Sequence, residues 1–186
     1  MKLSIKRLLA YLIDMAVVFV LFLMVGAFVK PNIYEQKLKE LNEQYVLKNV
    51  DFKQYKDEYI TITQEIDKSN FSVNLVTTIF IIIVFIIIPY FKNGQTIGLA
   101  IMKIEINKKN LSSLFIRSLI VNGLGYMLLM FSILFLVNDS IYFVLINFLA
   151  FCQISLVIIN GFMILYKKEH IGLTDILTNS RIEEIK

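Results

Sequence analysis

A single cysteine and a single histidine set the first limits on this chain of 186 residues. Cys152 cannot form an intrachain disulfide, and its place inside an apolar block reads as a buried small hydrophobe. His170 alone cannot build a zinc site, and no Ser/His/Asp set, pair of intramembrane acids or cluster of metal ligands accompanies it. The sequence therefore predicts neither an enzyme nor a metal or cofactor site. Charge is also scarce: 18% of residues are charged and 57% are hydrophobic, against about 45–50% apolar residues in a soluble domain. The mean hydropathy is +0.68. A net charge of +4 is modest and does not point to nucleic acid.

What the chain has instead is four apolar blocks, Leu8 to Val29, Phe71 to Phe91, Leu114 to Val137 and Ile141 to Tyr166. Each is long enough to cross a hydrocarbon core of about 30 Å as a helix. Buried helices of a soluble bundle would show polar faces at helical spacing, and the run Ile79 to Ile88 has none. Basic residues gather before the first block (Lys2, Lys6, Arg7), between the second and third (Lys92, Lys103, Lys108, Lys109, Arg117) and in the tail (Lys167, Lys168, Arg181, Lys186). The turn Asn138-Asp139-Ser140 has no basic residue. This bias predicts an all-α integral protein of the cell membrane, a single domain over 1–186 with four transmembrane helices and both termini cytoplasmic. Val25-Gly26-Ala27 faintly resembles a signal-peptidase site, but the 22-residue first block and its buried Asp14 favour an uncleaved span.

Residues 30–70 form the one sizeable region outside the bilayer. Apolar side chains fall at Tyr34, Leu38, Leu41, Tyr45, Phe52, Tyr55, Tyr59, Ile62 and Ile66, in steps of four and three interrupted near Lys48. That is the pattern of a helical seam. Asn49 would end one helix and Asp51, with Gln54 three residues on, would cap the next. The expectation is an extracytoplasmic helical hairpin between spans one and two, although the stretch YITIT also alternates as a strand would. The seam either closes on itself or receives a protein partner.

Polar residues inside the spans form a second pattern. Asp14 lies seven residues after Arg7, about 10 Å along a helix and on the same face. Asn122 in span three and Asn160 in span four stand at comparable depth, so three helices could bring Asp14, Asn122 and Asn160 to one layer. Intramembrane polar groups turn toward the bundle interior and pair there. Asp14 either carries a proton or cation along a path, or hydrogen-bonds Arg7 and the asparagines to fasten the helices. Asn74, Thr77, Thr78, Asn147, Gln153 and Ser155 would line an outer path or make helix–helix hydrogen bonds.

After span two, Gly94 and Gly98 bracket a tight stretch with Gln95 and Thr96, and Ile104 and Ile106 alternate with Lys103 and Glu105 as a short strand would. The lysine and Ser/Thr spacing of a phosphate-binding loop is missing. Arg7, Ala10 and Asp14, then NGQTIG and MKIEI, then Arg117, then GLTDILTNSRI occur in one order. In that combination the chain resembles the RDD family of membrane proteins. The resemblance implies Arg7, Asp14 and Asp175 as the eponymous arginine and aspartates. It departs at Leu99, where members commonly carry lysine, and at Thr174, where they commonly carry histidine. Asp175 would follow span four on a short amphipathic helix with Ile171, Leu173, Ile176 and Leu177 along the membrane surface, within reach of Arg7 or Arg117.

Two functions fit. One is a small ion or solute transporter, or a subunit of one, using Asp14; four short helices would then need oligomerisation to allow alternating access. The other is a non-catalytic accessory, scaffold or immunity-type protein that binds a partner through the outer hairpin. In both, the lipid bilayer is the medium.

Overall fold

The computed structural model describes residues 2–26, 32–108 and 110–185. The predicted end of the first span, the start of the insertion at Lys30, Lys109 in the loop and Lys186 in the tail lie outside the described residues. Runs rich in Leu, Ile, Phe and Val, with prolines only at 31 and 89, have no local alternative to helix in an apolar medium, where each backbone group must pair within its own segment. Accordingly α1 (Leu3–Gly26), α4 (Phe71–Phe91) and α8 (Asp139–Tyr166) are long and apolar enough to cross a membrane. Helix α4 widens into a π turn over Ile83–Ile87, directly before Pro89, whose missing N–H interrupts the regular ladder.

The third block, expected to span as one helix, is broken. It forms α6 (Leu111–Val121) and α7 (Leu124–Leu134), bent by 74°. The cause is local. Asn122 caps α6, and Gly123 follows at φ +77°, a conformation that ends a helix and that residues with a Cβ adopt only at a cost. The structure thus holds three helices able to span, or four if the bent pair counts as one.

Between α1 and α4 lies the expected hairpin, α2 (Ile33–Val46) and α3 (Phe52–Ser69). Its turn differs in detail from the sequence reading. Lys48, not Asn49, takes the left-handed position (φ 59°). Asn49 N–H then bonds Gln44 O and Lys48 N–H bonds Tyr45 O, the paired bonds of a Schellman close. Asp51 caps α3 by accepting from Gln54 N–H at 2.8 Å. The YITIT stretch is helical.

The seam is partly closed within the hairpin: Leu41 is buried, the Tyr45 and Tyr55 rings stack at 4.3 Å, and Tyr34, Leu38, Tyr59, Ile62 and Ile66 are half-buried. Phe52 is left exposed. The other face of α3 buries Ile60 and Gln64 against the bundle. There Gln64 Nε2 donates to Leu134 O (3.0 Å) and Val137 O (3.1 Å), satisfying carbonyls that the end of α7 leaves open.

At the opposite end, α5 (Ile97–Ile101) leads into β1 (Ile104–Ile106), and α9 (Leu173–Thr178) leads into β2 (Ile182–Glu184). The strands pair antiparallel with Ile104 opposite Glu184 and Ile106 opposite Ile182. The fold is mostly helical, as expected of an all-α membrane protein, and a short two-stranded ladder joins the central loop to the tail. One apolar core fills this end around Ala10, Phe85, Leu99, Ile104 and Leu114, and a second lies beneath the hairpin around Met130, Leu134, Tyr142 and Ile146.

Candidate functional site

The buried positions of α1 are Ser4, Arg7, Ala10, Asp14 and Val18, a stripe at steps of three and four. Helix α1 packs chiefly on α5 and α4, and the stripe carries both ionisable groups singled out in the sequence.

Those two groups do not pair with each other. Arg7 turns toward the tail, where its Nη2 donates to Asp175 Oδ2 at 2.7 Å and its Nη1 to His170 O at 2.6 Å. Arg117, from α6, reaches the same carboxylate, with Nη2 donating to Asp175 Oδ1 at 2.5 Å. It also donates to Thr174 Oγ1 and to Ser180. Asp175 further accepts from Gly172 N–H at 2.8 Å, and its side chain is fully buried. One carboxylate therefore clasps two guanidiniums from two helices. In a buried site the charge-assisted bonds must offset desolvation of all three ions.

Asp14 is held elsewhere. Its Oδ2 accepts from Thr96 Oγ1 at 2.5 Å and its Oδ1 from Gly98 N–H at 2.7 Å. Thr96 at the same time caps α5, accepting from Leu99 N–H at 3.2 Å. Backbones meet closely here: a Cβ on Gly98 would lie 2.0 Å from Ala10 O. The expected contacts of Asp14 with Arg7 and the asparagines are therefore replaced by contacts with the NGQTIG loop. The reason is that seven-residue spacing fixes a helix face but not the neighbour opposite it. Gly94 anchors that loop through its N–H to Pro89 O and its carbonyl from Ile106 N–H. Gln95 Nε2 makes only a long contact, 3.5 Å, with Ile104 O.

Asn160 and Asn122 do not bond Asp14 or one another. Asn160 Oδ1 accepts from Thr174 N–H (3.1 Å) and Thr174 Oγ1 (3.2 Å), tying α8 to α9. Asn122 sits at the break after α6. What unites these residues is a cavity of about 210 Å³. Arg7, Asp14, Thr96, Arg117, Asn122 and Asn160 all line it, among apolar side chains that include Tyr11, Phe85, Leu99 and Leu114.

Thr174 and Ser180, both buried and both bonded to Arg117, were missed at the sequence level. A threonine and a serine just beyond a span carry no periodic signal. The outer seam residues Tyr34 to Ile66 take no part in this site. Of the scattered polar residues, Thr77, Thr78, Asn147 and Ser155 bond carbonyls one turn back in their own helices, and Gln153 Nε2 donates across to Ile120 O at 2.6 Å. Asn74 supplies the carbonyl that Thr78 bonds. Among the described residues no group of three or more His, Cys, Asp or Glu could hold a metal ion.

A family model described as RDD family matches residues 4–179, a stretch that contains Arg7, Arg117, Asp175 and both partners of Asp14. No curated protein and no solved structure matches the chain.

Proposed function

The chain belongs to the RDD family, and from that membership we propose a transporter of a small ion or solute, or a subunit of one, with its binding site in the cavity beside Asp14. The protein is membrane-embedded, with three or four helices able to span. The finer reading is a multi-pass protein of the cell membrane that acts without catalysing a covalent reaction. The bent pair α6–α7 is its third, broken span, and both chain ends face the cytoplasm as the lysine and arginine bias directs.

The cavity carries the proposal. A void lined by two arginines, an aspartate and two asparagines is costly inside a membrane protein unless a solute uses it. A discontinuous helix ending at such a void is also a recurrent construction in transporters, since its broken end leaves backbone groups free to meet a solute. The assay is flux in proteoliposomes. Asp14→Asn keeps an acceptor for Thr96 or Gly98 but removes the charge, and it should abolish proton- or cation-linked flux. Flux unchanged by that substitution would sink the role given to Asp14.

A second reading has its own observation. The tip of the α2–α3 hairpin exposes Val46 (77%), Leu47 (69%) and Phe52 (65%), an apolar knob suited to a protein partner of an accessory, scaffold or immunity-type protein. Serine at all three positions should then abolish the cellular phenotype while leaving insertion intact. A phenotype that survives the change eliminates this reading.

A further inference from the structure

The long helices turn their amide side chains inward, with one exception. Asn74 and Gln153 are half-buried and Asn160 is buried, whereas Asn147 of α8 is exposed. Gln153 bonds across to α6, and Asn160 accepts twice from Thr174. Asn147 has one bond only, from its Nδ2 to Phe143 O of its own helix at 2.7 Å. Its Oδ1 accepts nothing among the described residues. An amide has two N–H donors and a carbonyl acceptor, so one donor and the acceptor stay open.

The position of Asn147 makes those open groups costly. Helix α8 has 28 residues, about 42 Å, and Asn147 stands eight residues, about 12 Å, from its Asp139 end. Ile141 and Val144, both exposed and apolar, lie between it and that end. In a bilayer the amide is therefore bordered by hydrocarbon, which offers neither donor nor acceptor. Polar side chains so placed bond across to another helix.

The surface around it has the pattern of a helical seam. Val144, Asn147, Phe151, Ile154 and Ile158 are all exposed and follow one another in steps of three and four. The steps continue through Gly161 to the exposed Leu165. This is an a/d row about three heptads long, and a single asparagine in such a row fixes register and the number of strands. No described element of the chain covers the row, and α8 is the least buried of the three long helices.

The amide itself selects the occupant. A second copy inserted in the same membrane points the same way, so two α8 rows can meet across a two-fold axis along the membrane normal. That axis sets Asn147 against Asn147. Each free N–H then meets the other's Oδ1, giving two reciprocal hydrogen bonds with no charge buried. We propose that the exposed row of α8 joins two copies of this chain in a parallel dimer locked by the Asn147 pair. The dimer stands whether or not the cavity carries a solute.

The test uses the full chain in liposomes at falling protein-to-lipid ratio, with subunits counted by single-molecule photobleaching. Wild type should show a two-step population that dissociates on dilution. Asn147→Leu, at a lipid-facing position, should weaken the dimer at least fivefold, while Asn147→Gln, which keeps an amide, should stay within about twofold of wild type. A second measurement locates the interface. In a Cys152→Ala background, Phe151→Cys or Ile158→Cys should give a disulfide-linked dimer when native membranes are oxidised. Phe19→Cys, equally exposed but on α1, should not. Single-step bleaching at every density would overturn the proposal and leave Asn147 to water drawn in from the interface. Dimers that cross-link at Phe19 and not along α8, or a dimer as tight in Asn147→Leu as in wild type, would also overturn it.

Discussion

Arg7, Arg117 and Asp175 form an ion triad in which a single carboxylate near the end of the sequence holds one cation from its beginning and one from its middle. Removing one member of a buried pair leaves the other uncompensated, at about 3–5 kcal/mol. Asp175→Ala is therefore expected to lower stability by at least that much in detergent thermal unfolding, with two guanidiniums stranded. Asp175→Asn, which keeps an acceptor but loses the charge, should fall between the two. Equal stability of wild type and Asp175→Ala would show that the triad holds nothing together. At this scale the sequence was informative about which residues matter and poor on who meets whom. Arg7 and Asp14 share a helix face, as their spacing requires, yet they serve different neighbours. Their partners, Asp175 and Thr96–Gly98, are 168 and more than 80 positions away, and no local period encodes such a separation.

The elements were legible where an apolar run was long enough to cross a bilayer, as in α1, α4 and α8, and in the hairpin, whose turn and cap residues announce themselves. The bend in the third block was not legible, because its composition is uniformly apolar while its geometry hangs on one left-handed residue, Gly123. The docking of α3 was also hidden, since Gln64 and Asp67 look like solvent-facing positions of an amphipathic helix until α7 and α8 are set beside them. Asp67 accepts from Tyr142 Oη at 2.7 Å, and burial pushes its carboxyl above the ordinary 3.8 despite that bond.

An acid whose pKa is raised on docking binds its proton more tightly when docked. Its contribution to docking is thus fully present below 3.8 and is lost as pH rises through the higher docked value. The protection of α3 amides against exchange, after division by the intrinsic rate at each pH, should accordingly be highest in acid and fall toward neutral pH. Asp67→Asn, which can still accept from Tyr142, should flatten that dependence. A slope that persists in the variant would assign the effect to another group.

For the molecule as a whole, the arrangement places the hairpin tip and the β1–β2 ladder at opposite ends of the bundle. With Cys152 replaced, a cysteine at Leu47 is expected to react with an impermeant maleimide on intact cells. One at Lys92 should react only after the membrane is opened. Labelling of both from the same side would contradict the proposed crossing pattern. The clasp also has a consequence in time. Arg7 precedes Asp175 by 168 residues, and at roughly 5–20 residues per second that separation lasts on the order of ten to thirty seconds of synthesis. Throughout that interval the first helix must wait in the bilayer with its arginine unanswered. The step that completes the clasp is therefore the arrival of the segment that carries Asp175, and a nascent chain stopped short of that point carries an arginine without its carboxylate.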